Sequence, residues 1–272
     1  MPFAQVRRDN MEELDKVHAG AGPILFGRVF ERDDFGTDWK FIHASYLLPG
    51  GGIGHHRHDY SEEIFVTLDN AAQFTHNGRT TQIEGGAAVP LRQGESHAIY
   101  NHTDTDTRWF NFNVGMAGGK SGSTDHGDDR KGAPLESADR LPVGRFDRSL
   151  LTYGPSHDGK GEIGARMIWG SQDFQSNFGF LGHALLPPGT SVGYHRHERM
   201  EECYVIAQGS GRMTEDGETR EVFAGDVILN KLGSSHGIYN HTTEELELVV
   251  VAVTVEKGIF DATNLGNDLS GR

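Results

Sequence analysis

The feature that most constrains this chain is a repeat of its own sequence. When the sequence is shifted against itself by 139 residues, 22 of the 57 positions between 47 and 103 are identical without a gap. The block SHAIYNHT at 96–103 meets SHGIYNHT at 235–242 with one mismatch. Unrelated segments do not keep register over such a length, so the chain is a tandem duplication of one domain.

Both copies are written in short runs of alternating apolar and polar residues. In the first copy these runs are EEIFVTL, AQFTHNG, TTQIE, AAVPL, HAIYN and RWFNFNV. Asn77-Gly78 and Asp216-Gly217 lie between such runs and are strong signals for two-residue hairpin turns. The 37 glycines suit many strands joined by turns. The pattern predicts an all-β fold, with each copy an antiparallel barrel or double-sheet sandwich.

The boundaries between the copies follow from changes in composition. We expect an N-terminal segment over 1–20, in which MEELDKV forms a short helix, and a first domain over 21–114. A Gly/Ser/Asp-rich linker or mobile loop is expected over 115–140, since few of its residues suit a core. The second domain is expected over 141–272.

Charge and composition exclude several classes of partner. Lys and Arg total 25 against 39 Asp and Glu, a net charge of −14. Such a chain repels phosphate backbones and anionic lipid surfaces, so no nucleic acid and no membrane partner is expected. The single cysteine, Cys203, allows no internal disulfide. Neither a signal peptide nor an apolar run of about 20 residues is found, which favours a cytoplasmic protein.

The residues that carry chemistry lie in two matching stretches, GHHRHDYSEEIF at 54–65 and GYHRHERMEECY at 193–204. Isolated histidines are more often surface or core residues than ligands. Here, however, three histidines and a glutamate recur in both copies at the same internal distances. This recurrence favours a metal site in each copy over the surface alternative.

Strand geometry explains how the first set converges. Side chains alternate between the faces of a strand, so His56 and His58 share a face and Arg57 occupies the other. Glu63 follows on the next strand, facing the same way as Phe65. Imidazole nitrogens and a carboxylate oxygen, with no thiolate, are ligands typical of first-row divalent metals.

At this point the sequence resembles the cupin superfamily. Its first motif, G(X)5HXH(X)3,4E(X)6G, is matched in both copies, except that Asn70 replaces the last glycine of the first. Its second motif, G(X)5PXG(X)2H(X)3N, is matched in both copies, except that Arg92 and Lys231 replace the proline. Asn can adopt the left-handed conformation that the missing glycine would supply. The chain therefore resembles a bicupin, with two tandem double-stranded β-helix (jelly-roll) barrels.

The resemblance implies a set of metal ligands in each barrel. They are His56, His58, Glu63 and His97 in the first copy and His195, His197, Glu202 and His236 in the second. Four protein ligands leave two positions of an octahedral ion open for substrate or dioxygen. One divalent transition metal per domain is expected: Fe or Mn is favoured, and Ni, Co, Cu and Zn stay open.

The site and the resemblance together predict a metal-dependent enzyme that acts on a small organic substrate. We favour an Fe(II)-type dioxygenase by a narrow margin, because two open positions would let the metal hold substrate and dioxygen together, and the comparison with bicupin flavonol dioxygenases slightly favours it. Oxalate-degrading bicupins are another comparison, but no loop here matches their acid-bearing lid, so that activity is not assigned. The first alternative is a non-oxidative isomerase, decarboxylase or lyase, in which the metal acts as a Lewis acid. The second is a non-catalytic metal- or ligand-binding bicupin. No catalytic residue beyond the ligands is assigned.

Several other residues receive lesser roles. Arg28 and Arg166 lie in aligned segments predicted to form a first strand of each barrel, and would meet a substrate carboxylate if they face inward. A surface position is the favoured alternative for both. Apolar side chains are expected to line the cavities, namely Phe65, Tyr204, Ile99 and Ile238. An exchanged N-terminal strand often builds dimers in cupins, so a homodimer stays open.

Overall fold

The computed structural model describes residues 2–116 and 118–272, and it confirms the predicted all-β class. The strands of the first half are β1 Phe3–Gln5, β2 Glu12–Asp15, β3 Pro23–Glu31, β4 Trp39–Leu47, β5 Gly52–His58, β6 Ser61–Thr67, β7 Ala71–His76, β8 Arg79–Glu84, β9 Ala87–Leu91, β10 Ser96–Tyr100, β11 Thr107–Gly115 and β12 Ser123–Asp125. The strands of the second half are β13 Gly144–Arg145, β14 Thr152–Gly154, β15 Ile163–Gly170, β16 Phe178–Leu186, β17 Ser191–Arg196, β18 Met200–Gln208, β19 Ser210–Glu215, β20 Glu218–Phe223, β21 Asp226–Asn230, β22 Ser235–Tyr239, β23 Leu246–Thr254 and β24 Thr263–Asn264. Short 3-10 helices lie at Arg8–Asn10, Val17–Ala19, Arg32–Asp34, Ala138–Arg140, Arg148–Leu150 and Ser171–Asp173.

The strands form two barrels, each from one seven-stranded and one five-stranded sheet. Barrel 1 combines the strand order β13-β9-β6-β11-β4-β3-β2 with β12-β5-β10-β7-β8. Barrel 2 combines β1-β21-β18-β23-β16-β15-β14 with β20-β19-β22-β17-β24. Corresponding strands hold corresponding places, so the repeat in the sequence is a repeat in the structure.

The turns are made by the residues that the sequence marked for them. Asn77 and Gly78 have φ of 48° and 79°, and Asp216 and Gly217 have φ of 48° and 85°. Two successive positive φ angles are the signature of a type I′ hairpin turn. Asn70 also has a positive φ of 51°, so it adopts the left-handed conformation expected from its place in the motif.

Three apolar clusters hold the molecule together. One fills barrel 1 around Phe74 and Ile99, and one fills barrel 2 around Met213 and Ile238. The third lies between the barrels and draws on both copies, with Trp39 and Phe178 in edge contact at a centroid distance of 5.9 Å. Because β6 is buried along its whole length, both of its faces pack, one into the barrel and one against the other copy.

The first strand of each copy lies on the barrel of the other copy. β1 pairs with β21 in barrel 2, and β13 pairs with β9 in barrel 1. Strand exchange of the kind that the sequence raised for a dimer therefore takes place within this single chain.

A reciprocal pair of buried glutamates joins the barrels. The carboxylate of Glu62 in barrel 1 accepts hydrogen bonds from the backbone N–H groups of Gln175 and Ser176 at 2.7–3.0 Å. The carboxylate of Glu201 in barrel 2 accepts from the N–H groups of Gly36 and Thr37, at 2.9 and 3.0 Å, and from the Thr37 hydroxyl at 2.7 Å. Both glutamates are almost fully buried, so each charge depends on these donors.

The prediction of a short helix at MEELDKV is wrong. Residues Glu12–Asp15 form β2, which pairs with β3 at the edge of barrel 1. The spacing of Met11, Leu14 and Val17 imitates a helix. However, Lys16 has φ of 56°, which a right-handed helix does not allow, and pairing with β3 overrides the local propensity.

The segment expected to be a linker or mobile loop is partly built into barrel 1. Ser123–Asp125 form β12, which pairs with β5 beside His56 and His58. At the end of the chain β24 pairs in the same way with β17. The outer strand is therefore part of the repeated unit. The domain boundaries themselves stay a prediction.

Across residues 2–116 and 118–272, the structure contains no helix of the length and apolar character that a bilayer-spanning helix requires.

The reciprocal glutamates give a stability prediction. Glu201→Ala removes the acceptor of the N–H group of Gly36 and of two buried donors of Thr37, so the free energy of unfolding should fall by about 2–4 kcal/mol. Urea titration followed by circular dichroism measures the loss. The exposed Glu218→Ala is the control and should change stability by no more than about 0.5 kcal/mol. A loss for Glu201→Ala as small as that of the control would show that these bonds do not hold the barrels together.

Candidate metal centres

The two sheets of barrel 1 bring its four predicted ligands together. His56 and His58 come from the same face of β5, and His97 on β10 lies directly opposite His56 in the strand register. Glu63 comes from β6 in the facing sheet. One candidate ligand atom from each of the four lies within 4.8 Å of the others.

Barrel 2 repeats this arrangement with its own four residues. His195 is the penultimate residue of β17, and His197 follows the end of that strand. His236 on β22 lies opposite His195, and Glu202 comes from β18. Their ligand atoms again lie within 4.8 Å of one another. Metal bonds to nitrogen and oxygen are about 2.0–2.6 Å long, so ligands on opposite sides of one ion lie about 4–5 Å apart. Both clusters have the dimensions of a single-ion site.

Backbone contacts fix the tautomer of several imidazoles. Nδ1 of His56 lies 2.7 Å from the carbonyl oxygen of Gly54, and Nδ1 of His195 lies 2.9 Å from that of Gly193. A carbonyl oxygen only accepts, so Nδ1 carries the proton and Nε2 keeps its lone pair. This is the usual outer hydrogen bond of a metal-ligating histidine.

Several buried atoms of the predicted ligands have no hydrogen-bond partner. Within the described residues, the following buried atoms lack a hydrogen bond: His58 Nε2, Glu63 Oε2, His97 Nε2, His195 Nε2 and His197 Nε2. His97 Nε2 and Glu63 Oε2 are only 2.9 Å apart, but they are not aligned for a hydrogen bond. Buried polar atoms are seldom left unpaired. A shared cation satisfies them all, so the residues fit a metal.

The protonation states also suit metal binding. Burial alone would raise the pKa of Glu63, but the imidazoles of His58 and His97 hold that pKa well below its usual value. Burial, aided by the charge of His97, lowers the pKa of His56 to about 2. The corresponding glutamate and first histidine of barrel 2 shift in the same directions for the same reasons. At neutral pH each site offers a carboxylate and a neutral imidazole.

The surroundings of the two glutamates differ. Glu63 Oε1 accepts hydrogen bonds from the side-chain amides of Asn111 and Asn113, both at 2.8 Å. At the corresponding positions barrel 2 has Val250 and Ala252, which cannot donate. The carboxylate in barrel 1 is therefore held by two side-chain amides, whereas the carboxylate of Glu202 in barrel 2 has no amide donor at these positions and lies 3.0 Å from Nε2 of His236.

Sequence reasoning missed one histidine beside each site. The ring of His18 stacks on that of His56 at 3.8 Å with an interplanar angle of 4°, and the ring of His157 stacks on that of His195 at 3.7 Å and 6°. Nδ1 of His18 lies 2.6 Å from a carboxylate oxygen of Asp125. The signal was available, since the same shift of 139 residues that aligns the motifs also aligns His18 with His157.

The loops that carry these histidines pack tightly on the metal strands. His18 and His157 have φ of 50° and 49°. A Cβ on Gly54 would lie 2.0 Å from the carbonyl oxygen of His18, and the loop of His157 meets Gly193 in the same way. The close approach requires glycine at both places. It holds each extra imidazole flat against a predicted ligand.

The two arginines proposed as substrate contacts lie on different faces. Arg28 is paired opposite His43, on the inner face of barrel 1, where its side chain is exposed at the rim and lies 3.7 Å from Glu31. Arg166 is paired opposite His183 and donates to the carbonyl oxygen of Arg145 at 3.4 Å. By strand alternation the side chain of Arg166 belongs to the outer face of barrel 2, although the residue borders the barrel 2 cavity beside the inward-facing Met167.

The apolar side chains expected to line the cavities do so in part, and the single cysteine lies outside both sites. Cys203 points away from the ligands into the cluster between the barrels, and its burial raises the pKa of the thiol. Tyr204 lines the cavity of barrel 2, as expected. Phe65 packs edge-on against His97 at 5.0 Å, and Ile99 and Ile238 are fully buried in the barrel cores.

A cavity adjoins each site. The one in barrel 2 has a volume of about 290 Å³ and reaches Glu202, Tyr204 and His157. The one beside barrel 1 has a volume of about 340 Å³ and is lined by His58, Lys40 and a series of small polar residues. Both clusters can therefore be reached by a small molecule.

The fold and the two clusters define a metal-binding protein built from two barrels, each with a three-histidine, one-glutamate site for a divalent transition metal. The cupin-domain family model matches residues 45–113 and 182–252. The chain belongs to the cupin family, and it is a bicupin.

Similar proteins include two curated relatives. The oxalate-binding protein of Thermotoga maritima is 34% identical over 95 residues, which cover 35% of this chain and 78% of the relative. An uncharacterized protein of Methanocaldococcus jannaschii is 40% identical over 60 residues, which cover 22% of this chain and 48% of the relative.

Solved structures of Bacillus subtilis oxalate decarboxylase share the fold of the whole chain. A point mutant of that enzyme superimposes with a TM-score of 0.65 at 16% identity, covering 97% of this chain and 79% of the other. The enzyme at pH 4.6 gives a TM-score of 0.62 at 16% identity, with coverage of 97% and 78%. A further structure, studied for the Mn(II) centres of that decarboxylase, gives 0.65 at 16%, with coverage of 97% and 79%.

The stacked histidines give a prediction about metal retention. His18→Asn and His157→Asn keep a residue that tolerates the left-handed backbone but remove the ring that supports the ligand imidazole. Each should weaken metal binding in its own barrel by about three- to tenfold and leave the other barrel unchanged. Competition with a chromophoric chelator measures both affinities. His241→Asn, remote from both clusters, is the control. Unchanged affinities in both variants would show that the stacking does not support the site.

Proposed function

We propose that this bicupin is a metal-dependent enzyme that removes a carboxyl group from a small organic acid without using dioxygen. The observation that carries the proposal is the pair of buried ligand clusters, whose unpaired atoms converge beside a cavity in each barrel. The eight residues named from the sequence are the proposed ligands. A divalent ion held by them supplies Lewis-acid stabilisation to a bound carboxylate.

In barrel 1 the chain's own residues suit a small anionic substrate. The cavity is lined by His58, Lys40, Ser61 and Asn113. Lys40 is half-buried, and burial, together with the charge of Arg32, lowers the pKa of its ammonium group. A lysine so placed offers a positive charge to a carboxylate. Its Nζ also holds a proton that can replace a departing carboxyl group.

In barrel 2 the group beside the cavity is a phenol. Burial, followed by the charge of Glu202, raises the pKa of Tyr204 well above its usual value. The phenol therefore stays protonated at neutral pH and acts as a hydrogen-bond donor next to the predicted ligand. Phe65 stands at this position in barrel 1, so the two barrels do not offer the same chemistry.

The comparisons support decarboxylation ahead of the oxygenase that the sequence favoured. One relative is an oxalate-binding protein, and the whole-chain structural matches are to oxalate decarboxylase. A decarboxylase is a lyase, which corresponds to the first alternative from the sequence. A dioxygenase remains the second candidate, supported by the largely apolar cavity of barrel 2, which suits an organic substrate.

Turnover in the absence of dioxygen separates these candidates. Protein loaded with Mn(II), and separately with Fe(II), is incubated under nitrogen with oxalate and with a set of small 2-oxo acids. We expect carbon dioxide release that is independent of dioxygen. Turnover that stops under nitrogen and consumes dioxygen stoichiometrically in air would establish the oxygenase instead.

Ligand variants then locate the reaction. His58→Ala and His197→Ala each remove one predicted ligand from one barrel. We expect kcat to fall at least about 100-fold in the variant that affects the active barrel. His241→Ala should keep full activity. Full activity in both ligand variants would contradict a role for either metal site.

A further inference from the structure

We propose that barrel 2 is built for an organic acid that carries an apolar side group, such as an aromatic ring, whereas the polar lining of barrel 1 suits a polar anion. The inference rests on the proposed function, since it places the acid group of the substrate at the metal cluster of barrel 2. It assigns the two barrels different substrate classes although their predicted ligands are the same.

The cavity of barrel 2 is apolar along most of its wall. Its volume of about 290 Å³ lies at the lower end of pockets that enclose small organic ligands. Glu202, Tyr204 and His157 supply polar groups near the cluster, and Ser156, Arg166 and His183 also border the cavity. Away from the cluster the wall is formed by apolar side chains, among them Ile163, Met167, Phe180, Val192, Val250 and Phe260.

A comparison of corresponding rows across the sheets shows where the barrels diverge. In barrel 2 one row runs through Met167, Gly182 and Val250 to Tyr204. The same row in barrel 1 consists of Arg28, His43, Asn111 and Phe65. Three polar or charged side chains of barrel 1 are thus replaced in barrel 2 by methionine, glycine and valine.

The next row, which contains the ligand glutamate, changes in the same direction. In barrel 2 it holds Gly170 and Ala252. The corresponding residues of barrel 1 are Glu31 and Asn113. The replacements in both rows therefore remove volume and polarity together on the inner face of barrel 2.

Side chains fill the equivalent space in barrel 1. The ring of His43 stacks on Phe41 at 3.9 Å and meets Phe26 edge-on at 4.8 Å. His43 Nε2 lies 3.0 Å from Glu31. In barrel 2 glycine occupies the place of His43, and Ala165 occupies that of Phe26. Both Ala165 and Gly182 line the cavity of barrel 2, so the cavity lies where barrel 1 has these two rings.

The mouth of the barrel 2 cavity is apolar as well. Met167 and Phe260 are 58% and 60% exposed although they are large apolar residues. Phe260 lies over Phe180, with the ring centroids 6.0 Å apart. The corresponding positions of barrel 1 are Arg28 and Ser121. Covering apolar groups at a cavity mouth with a ligand removes their surface from water, which favours binding.

Binding of two carboxylates tests the assignment. The full chain loaded with Mn(II) is titrated with phenylacetate and with acetate by calorimetry, and paramagnetic relaxation of the ligand protons by Mn(II) reports whether they lie near the ion. We expect phenylacetate to bind at least tenfold more tightly than acetate. Its binding should survive His58→Ala and be lost in His197→Ala.

A matched pair of substitutions tests the inner face without removing a ligand. Val250→Asn introduces the barrel 1 residue into barrel 2 and should weaken phenylacetate binding at least tenfold. Asn111→Val makes the opposite exchange in barrel 1 and should leave it unchanged. The proposal is overturned if phenylacetate does not bind, if it binds in barrel 1, or if Val250→Asn has no effect. Phenylacetate binding in barrel 2 without decarboxylation of oxalate or of the 2-oxo acids would uphold this assignment and refute only the proposed reaction.

Discussion

The alternation of side chains along a β-strand is the constraint on which this molecule depends. In Glu62-Glu63 and in Glu201-Glu202, the second glutamate faces into its barrel toward the histidines. The first faces out and accepts hydrogen bonds from the other barrel. The strand that carries the glutamate of each metal cluster is therefore also hydrogen-bonded, through its other face, to the other barrel. In both copies a Glu-Glu dipeptide therefore links the metal site to the interface between the barrels.

Duplication preserved the predicted ligands and changed what surrounds them. Glu63 is fixed by the amides of Asn111 and Asn113, so the carboxylate of barrel 1 is preorganised. Glu202 lacks such donors and has the phenol of Tyr204 as a neighbour. A gene duplication that keeps both ligand sets while changing the walls allows two related chemistries, or a catalytic and a supporting site, in one rigid chain.

The sequence predicted the ligands because they follow from local spacing on strands, and it predicted the barrels because the alternation was clear. It could not show contacts between distant loops, which is why His18 and His157 escaped notice although they repeat. Arg28 and Arg166 lie one position apart when the two copies are aligned, so they face opposite ways on their strands. The sequence left their direction open and favoured a surface position for both. At residues 12–15 the apolar spacing suited a helix, but the segment pairs with β3 as an edge strand. Contacts between the barrels depend on tertiary structure and leave no local pattern.

The stoichiometry of metal binding tests the central claim most directly. Metal-free protein titrated with Mn(II) and followed by the loss of the free-ion electron paramagnetic resonance signal should bind two ions per chain. Glu63→Ala and Glu202→Ala should each bind one, and the double variant none, while circular dichroism shows the barrels still folded. If the wild-type protein bound no Mn(II), or if the double variant bound as many ions as the wild type, the eight residues would not be the metal sites.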